Sequence, residues 1–554
     1  MRHRPPLNLR RICWAFGALA LTACNACGTD EPWLGSGRTA AGAANAEEPN
    51  AEPDTTELFI TATQNATDAQ RAFESAHRFV QGWAVARDPD TGLYGERTRS
   101  AIWSPKNAAA DLWPFMVLTT YYTDREAFFG DMRTTLESEI RLTSRLGPLP
   151  DYYSTETQQF VHSSPKLSRI IFGASEYAKD GLMPITEAIG RGPYFDRMVA
   201  LIDGILDQAP FETSRGYIPS DDREVNGEMM QVLSRLYYAT GNFPYLEMGE
   251  RIASYYLLDD NLGGQLNLID HASEVVSGLV EIYAALKRAG RDVEALRVSL
   301  KAFLDRILEV CRNENGLIYY RVILETGEVV SGGVPDTWGY VFNGIYTFGL
   351  VQEDSTYLDA TVRALENINR YQDRDWGNAD GYADTVESAI VLVNRIPTPG
   401  AFEFIESQLD IMLRRQRESG IIGGWWGDGN VARTALMYAL MKTKGVHTDT
   451  WREDLKFGAT VADETLYLVV AADEPWVGRL LFDVPRHQDY LHLPMNYPRL
   501  NEFPEWFTLK PGRRYAVSRV GSSEQTLSAE ELRLGLVLSL QPGDLSQQLI
   551  VRPL

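Results

Sequence analysis

The sequence predicts a mainly α-helical protein, an α/α toroid of six or seven helical hairpins followed by a small antiparallel β-sandwich. From about residue 65 to 443, amphipathic helices with charged faces alternate with more apolar helices. Each kind recurs at roughly 45 to 65 residues, longer than the common short solenoid repeats. Outer helices that face solvent and inner helices that do not, repeated around a ring, form a toroid. The alternative is an open solenoid, but the loops are long, aromatic and unlike one another.

The predicted helices fall into two sets. The outer helices are expected at 65–86, 124–145, 194–208, 243–257, 292–312, 355–372 and 400–417. The inner helices are expected at 107–122, 165–178, 225–239, 271–287, 336–350, 381–394 and 430–442.

After about residue 455 the apolar residues follow the short runs of strands. The predicted strands are 465–471, 477–483, 514–519, 532–539 and 548–552, with turns such as Pro511-Gly512 and Pro542-Gly543 between them. The segment 490–507 is rich in aromatic residues and proline, so we expect it to pack against the toroid.

The N-terminus has the pattern of an export signal. A basic stretch that ends at Arg11 precedes an apolar run from Ile12 to Ala20, which is too short to span a bilayer. The run leads into Leu21-Thr22-Ala23-Cys24, which resembles the lipobox of bacterial lipoproteins. The resemblance implies cleavage before Cys24 and acylation of its thiol and new amine. Asn25 is then compatible with transfer to the outer membrane; an ordinary signal peptide is the alternative.

Four regions are therefore predicted along the chain. They are a signal peptide (1–23), a lipidated cysteine with a disordered tether (24–56), the α/α toroid (57–454) and the β-sandwich (455–554). The tether prediction depends on its Ala, Gly, Glu, Pro and Thr content.

Composition excludes several classes of function. The net charge of -22 over 554 residues disfavours a nucleic-acid partner, although a local site for an anionic sugar remains compatible with it. The sequence has no zinc spacing, P-loop or dinucleotide fingerprint, so we expect neither a cofactor nor a metal. No mature segment is long and apolar enough to span a membrane, so the lipid anchor is the only membrane contact expected.

One segment suggests where a site would form. Asp380, Asp384 and Glu387 are spaced i, i+4, i+7, so they share one stripe of a predicted inner helix. The helix then continues as Ser-Ala-Ile-Val-Leu-Val, without charge. A polar beginning and an apolar body are typical of a helix that lines a cavity.

Other inner helices begin in the same way. The acidic or amide pairs are Asn107 with Asp111, Glu224 with Glu228, Asp270 with Glu274, and Asp380 with Asp384, while Asp336 and Asp428 begin two further helices. Inner helices of a toroid run in one direction, so these residues are expected to meet at one end of the ring. Each pair could instead cap its helix, but Glu228, Glu274 and Asp384 lie too deep to do so.

Aromatic and basic residues accompany these acids. Trp338, Tyr340 and Tyr382 lie near helix starts, and Trp425 and Trp426 lie in a glycine-rich loop. Aromatic faces stack on sugar rings, and carboxylates accept hydrogen bonds from sugar hydroxyls.

At this point the sequence resembles the α/α-toroid carbohydrate-active proteins. These include six-hairpin glycoside hydrolases, unsaturated-uronide hydrolases and toroid-plus-β-sandwich polysaccharide lyases. The resemblance rests on the hairpin period, the Asp- and Trp-rich mouth and the outer-helix segment 242–253. It implies a carbohydrate partner, but no family-specific catalytic motif matches, so no catalytic residue is transferred.

The leading hypothesis is a glycoside hydrolase that acts on a poly- or oligosaccharide through paired carboxylates. A uronide lyase or sugar epimerase is the alternative, because residues such as Tyr340, His271 and Arg433 could supply a base and bind an anionic group. A glycan-binding lipoprotein without turnover is the non-enzymatic alternative.

We expect Asp384 to be the general acid, because burial and its acidic neighbours should raise its pKa. Asp336 and Glu274 are its candidate partners across the cavity. In the structural alternative, Asp384 is a buried acid bonded to Arg433. The predicted substrate-binding residues are Asn107, Asp111, Glu228, Asp270, His271, Trp338, Tyr340, Asp380, Tyr382, Trp425, Trp426, Asp428 and Arg433.

Overall fold

Seven helical hairpins form a closed ring in the part of the chain that the structure, a computed structural model, describes (residues 55–554). The inner helices are Trp113–Thr123, Leu167–Glu176 continued by Met183–Ile189, Arg223–Thr240, Glu274–Arg288, Trp338–Gln352, Ala379–Val393 and Asp428–Thr443. Each contacts the next, and the last contacts the first. The toroid prediction is confirmed, with seven hairpins.

The outer helices run back around the ring. They are Thr56–Ala84, Asp131–Thr143, Pro193–Gln208, Phe243–Leu257, Glu294–Val310, Ser355–Ile368 and Pro399–Leu413. Shorter helices at Arg125–Phe129, Asp270–Ser273 and Asn369–Tyr371 join them. The first outer helix begins at Thr56 rather than near residue 65, because its early turns pack on the C-terminal sheet through Phe59 and Ala62.

Two π-helical turns interrupt the inner ring. They are Ala108–Leu112, before the first inner helix, and Tyr177–Leu182, within the second, and they contact each other. A π turn adds one residue and rotates the following side chains relative to an α-helix. Asp111, Lys179 and Asp180 are buried as a result. The second inner helix therefore extends to Ile189, beyond the predicted end at 178.

Two antiparallel sheets follow the ring. Five strands, in the order Lys456–Ala462, Thr465–Ala471, Ser546–Pro553, Arg514–Arg519 and Gln525–Ser528, form the larger sheet. The smaller sheet has the order His447–Thr448, Trp476–Leu481 and Leu536–Leu540. The larger sheet lies against Thr56–Ala84, where a Cβ on Gly458 would be only 2.1 Å from the backbone nitrogen of Ala66.

One strand prediction was partly wrong. The segment 532–539 begins as the end of a helix, Ala529–Arg533, and becomes a strand only at Leu536. Ser528 and Glu531 form a capping box at the start of that helix, and Gly535 leaves it with φ of +94°.

Short strands lie in the loops of the ring. They are Ile102–Trp103, Ser144–Leu146, Leu149–Pro150, Tyr153–Ser154, Gln159–Phe160, Phe211–Thr213, Gly216–Ile218, Gln265–Asn267, Arg321–Ile323 and Glu328–Ser331.

The segment 484–507 fills the ring from the end opposite the helix N-termini, and it begins with the short helix Arg486–Asp489. Arg499 Nε donates to Glu187 Oε2 at 2.9 Å, and the Tyr497 hydroxyl donates to Glu281 at 3.2 Å. Both acids also pair with the buried Arg235. The expected packing of this segment against the toroid is confirmed.

Residues 55–554 belong to one compact unit, so the ring and the two sheets belong together. Within the described residues, no helix combines the length and the apolar character needed to cross a membrane. The predicted signal peptide, Cys24 and nearly all of the predicted tether lie outside the described residues.

Candidate active site

A cavity of about 380 Å³ lies at the N-terminal ends of the inner helices. The structure places ten of the residues singled out from the sequence in its wall: Asn107, Asp111, Asp270, His271, Asp336, Tyr340, Asp380, Asp384, Trp426 and Arg433. They come from five different inner helices or the loops before them, which run in one direction and so direct their first turns at one space.

Arg433 organises one side of the cavity. Its Nη2 lies 2.8 Å from Asp384 Oδ1 and 2.9 Å from Glu387 Oε2. The Tyr340 hydroxyl also donates to Glu387 Oε2, at 3.1 Å. Burial raises the pKa of Asp384, and the positive charge of Arg433 opposes that rise. Asp384 is therefore a half-buried carboxyl with a fixed cationic partner.

Asp380 occupies the outer position on the same stripe. Its Oδ1 accepts a hydrogen bond from Asn430 Nδ2 at 2.9 Å. Burial, and then the charge of Asp384, raise the pKa of Asp380 well above its ordinary value. Like-charge repulsion between neighbours on one helix face favours protonation of one of them.

Asp336 lies just before the neighbouring inner helix, Trp338–Gln352, and faces the stripe of Asp380 and Asp384. Its Oδ1 accepts a hydrogen bond from the backbone of Thr337 at 3.1 Å. Gly381 permits the close approach, since a Cβ there would lie 2.9 Å from Asp336 Oδ2. Burial and the charge of Asp384 raise the pKa of Asp336 to about 7. Asp336 is half-buried, so it can hold a proton near neutral pH and still reach a ligand.

The floor of the cavity carries two further acids. Burial raises the pKa of Asp111 to about 8, although His271 opposes the rise. Burial also raises the pKa of Glu176 well above its ordinary value. Among the described residues, Glu176 Oε2 has no hydrogen-bond partner, and Lys106 Nζ is 3.9 Å away. Asp111 is therefore expected to carry a proton at neutral pH, and burial favours the protonated form of Glu176 as well.

Glu274 does not line the cavity, which corrects its expected place opposite Asp384. It lies behind His271, whose Nδ1 is 2.7 Å from Glu274 Oε1, and Lys179 Nζ is 2.7 Å from its Oε2. Burial alone would raise the pKa of Glu274, but Lys179 and His271 lower it to about 2. It is thus an ionised partner for Lys179 and His271. Asp270, at the cavity edge, lies 3.4 Å from His271 Nε2.

Asp428 also lies outside the cavity wall, because it holds a loop together. Its carboxylate accepts hydrogen bonds from the backbone of Gly423 at 2.7 Å, from Gly424 at 3.0 Å and from Trp83 Nε1 at 3.1 Å. This loop carries both tryptophans. Trp426 lines the cavity, whereas Trp425 lies outside it with its ring centroid 4.4 Å from that of Trp426.

Three other predicted binding residues pack in the protein interior. Trp338 is fully buried and donates to Thr385 Oγ1 at 3.0 Å. Tyr382 is buried, with Arg415 4.6 Å from its ring centroid. Glu228 is buried behind the cavity wall. Helical spacing placed these residues near the correct ends but did not determine which side of the helix faces the cavity.

The sequence analysis missed several residues of the cavity wall. They are Lys106, Glu176, Ile269, Tyr320, Thr337, Leu500 and Asn501. Asn501 is the most connected of them. Its side chain accepts from Arg433 Nη1 at 2.8 Å and donates to Asp180 Oδ1 at 2.7 Å. The aromatic segment 490–507 was the available signal, since it was already expected to contact the ring.

Comparisons with known proteins give similarity of shape only. No protein-family model and no curated protein sequence matches this chain. The GH76A α-1,6-mannanase from Salegentibacter sp. HEL1_6 aligns over 55% of this chain and 96% of its own, with 13% identity and a TM-score of 0.39. Unsaturated glucuronyl hydrolase from Bacillus sp. GL1 aligns over 50% and 88%, with 12% identity and a TM-score of 0.35.

A possible member of the GH105 family from Salmonella enterica aligns over 55% of this chain and 91% of its own, with 12% identity and a TM-score of 0.37. At these levels of similarity the neighbours carry no information about which side chains act.

Proposed function

We propose that this protein is a glycoside hydrolase that cleaves a poly- or oligosaccharide in the cavity described above. One observation carries the proposal: Asp336, with a pKa of about 7, faces Asp384, a carboxyl fixed by Arg433. Glycoside hydrolysis requires a protonated acid and a second carboxylate on either side of the scissile bond.

The role of proton donor suits Asp336 better than Asp384, the residue favoured by the sequence. Arg433 stabilises the ionised form of Asp384, whereas Asp336 forms no ion pair with any described residue and lies beside a like charge. Asp336 therefore donates a proton to the leaving oxygen. Asp384 acts on the opposite side of the anomeric carbon, as the nucleophile or as the base for a water molecule.

The surrounding groups suit a sugar. Trp426 offers an aromatic face at the cavity edge, and Asp380 offers acceptors for hydroxyl groups. On the floor, Asp111 can donate as well as accept hydrogen bonds when it carries its proton, and burial favours the same form of Glu176. A wall of this kind recognises a ligand with many hydroxyl groups.

Hydrolysis fits these contacts better than elimination from a uronide. A lyase needs a free base and a cation for the substrate carboxylate. The Tyr340 hydroxyl already donates to Glu387, His271 Nδ1 is held by Glu274, and Arg433 is paired with two acids.

A polysaccharide panel tests the proposal. The purified protein should produce new reducing ends from at least one glycan, without the ultraviolet absorbance of an unsaturated uronide. Asp336→Asn and Asp384→Asn should each lower kcat by roughly two orders of magnitude or more while glycan binding persists. Asp373 is an exposed loop residue, so Asp373→Asn is the matched control and should retain activity.

Other outcomes would point elsewhere. Unsaturated products would favour the lyase, and glycan retention without cleavage would favour a binding protein. Full activity in Asp336→Asn would remove this residue from the mechanism.

We also propose that the chain is anchored to the cell envelope through Cys24, in the outer membrane. The proposal rests on the basic stretch, the short apolar run and the lipobox-like ending of the sequence. Metabolic labelling with a fatty acid should label the protein, and Cys24→Ala should abolish the label. Unchanged labelling of that variant would contradict the proposal.

A further inference from the structure

Four side chains, three of them buried and the fourth half-buried, converge at the cavity wall. They are Asp180, Glu228, His271 and Glu274, and one oxygen or nitrogen atom from each lies within 4.8 Å of the others. Asp180 comes from the π turn Tyr177–Leu182, Glu228 from the helix Arg223–Thr240, and the other two from the start of the next inner helix. Of the four, only His271 also lines the cavity.

Several oxygens in this group lack partners. Both carboxyl oxygens of Glu228 are buried without a hydrogen bond to any described residue, and so is Asp180 Oδ2. Glu228 itself is only 1% exposed. A buried carboxylate without a partner is costly, so it requires a proton, an ordered water or a cation. Glu228 shares its point of convergence with three potential ligands, and this favours the cation.

Lys179 contacts one carboxyl oxygen of Asp180 and one of Glu274, and it leaves the other oxygen of each acid free. Its Nζ lies 2.7 Å from Asp180 Oδ1 and 2.7 Å from Glu274 Oε2. The second oxygen of each acid is turned towards His271 Nδ1, at 3.5 Å for Asp180 and 2.7 Å for Glu274. Each acid thus has one oxygen fixed by Lys179 and one directed into the group. Metal ligands are commonly oriented by an outer shell of this kind.

Two amides complete that outer shell. Gln231 Nε2 donates to Glu274 Oε2, and Asn501 Nδ2 donates to Asp180 Oδ1, both at 2.7 Å. Asp180 and Glu274 are therefore fixed by contacts with three further side chains. These are Lys179, Gln231 and Asn501.

We propose that Asp180, Glu228, His271 and Glu274 form a binding site for a divalent transition-metal ion, with Zn²⁺ or Mn²⁺ as the fitting ions. One imidazole with three carboxylates is a donor set that these ions accept. Ca²⁺ needs more oxygen ligands, and Mg²⁺ keeps several waters, so neither suits a closed group with a histidine. Binding replaces the proton on His271 Nδ1 and any proton on Glu228, which pass to solvent.

Metal titration of the full chain tests this site. After treatment with a chelator and dialysis, ZnCl₂ and MnCl₂ are titrated separately by calorimetry, and bound metal is counted by mass spectrometry. We expect one ion per chain. Glu228→Gln keeps the size of the side chain but loses its charge, so affinity should fall by roughly 100-fold or more. Glu224→Gln, one turn earlier on the same helix, should keep the parent affinity.

The parent protein alone can overturn the proposal. If neither ion binds one per chain, protons or waters satisfy these oxygens, whether or not the variants fold. If Glu228→Gln binds the metal as tightly as the parent, the metal lies elsewhere.

Discussion

Arg433 lies 2.8 Å from Asp384 through the same guanidinium nitrogen that lies 2.9 Å from Glu387. One cation therefore compensates two acids that stand one turn apart on a single inner helix. Arg433 and Glu387 are buried, whereas the side chain of Asp384 is 15% exposed and lines the cavity. Stability and catalysis should thus depend on the same arginine.

The first prediction concerns this group. Arg433→Met leaves the buried Glu387 and the half-buried Asp384 without their cation, so the free energy of unfolding should fall by about 3–5 kcal/mol. Urea denaturation followed by circular dichroism measures it. Arg414→Met is the control, because its side chain is 70% exposed and its ion pair with Asp410 is 3.9 Å long. The control should lose no more than about 1 kcal/mol. A loss that small in Arg433→Met would contradict the prediction.

The second prediction concerns the pH dependence of stability. Burial raises the pKa of Asp111 from a reference of 3.8 to about 8, so between these values the folded state binds a proton that the unfolded state releases. Stability should therefore fall as pH rises through this window, by up to about 1.4 kcal/mol per pH unit from this group. Asp111→Asn should flatten the slope and Asp373→Asn should not. An equal slope in the parent and Asp111→Asn would refute the assignment.

The third prediction concerns the pH dependence of activity and rests on the proposed mechanism. The proton donor must be protonated, and the pKa of Asp336 is about 7. Hydrolysis should therefore decline as pH rises through about 7, because the population of protonated enzyme falls. A pH–rate profile on the best glycan measures this. Activity that stays level well above neutrality would exclude Asp336 as the donor.

The fourth prediction concerns Asn501, which has φ of +61°. Its backbone N–H donates to Glu387 Oε1 at 2.7 Å, in addition to its two side-chain bonds. Asn501→Gly tolerates the backbone conformation but loses the side-chain bonds, at a cost of about 1–3 kcal/mol. Asn501→Ala loses the same bonds and adds about 1 kcal/mol of left-handed strain. Denaturation should rank the parent above glycine and glycine above alanine; the reverse order of the two variants would show that conformation does not matter here.

The fifth prediction separates the two adjacent tryptophans. Trp426 lines the cavity, whereas Trp425 packs so close to Gly423 that a Cβ there would lie 2.2 Å from its ring. Trp426→Ala should weaken glycan binding by up to about tenfold, the value of one aromatic contact. Trp425→Ala should affect stability more than binding. Calorimetry in the inactive Asp336→Asn background compares them, and an equal loss of affinity in both variants would contradict the distinction.

Helical spacing recovered the part of the site that belongs to single helices. Asp380, Asp384 and Glu387 share the stripe that their i, i+4, i+7 spacing predicts. Spacing shows which residues share a face, but not what lies opposite. Glu274 was therefore expected in the cavity, while Lys179 and His271 hold it behind the wall.

Local departures from regular helix geometry explain the site residues that the sequence did not reveal. Glu176 is the last α-helical residue before a π turn and Asp180 lies within that turn, which a search at a period of 3.6 residues does not detect. Asp428 begins an inner helix as expected, but its carboxylate turns back to bind the preceding loop. The orientations of these side chains depend on neighbours that are distant in sequence, so the sequence alone does not reveal them.

The segment 484–507 also limits how far the ring and the C-terminal sheets could evolve separately. It comes from the C-terminal part, yet Leu500 and Asn501 form part of the cavity wall. A gene that lost everything after residue 454 would encode a ring with an open floor, in which Arg433 and Asp180 would lack an amide partner. The sheets therefore cannot be exchanged like a detachable accessory domain, and recombination at that boundary would have to replace the site together with them.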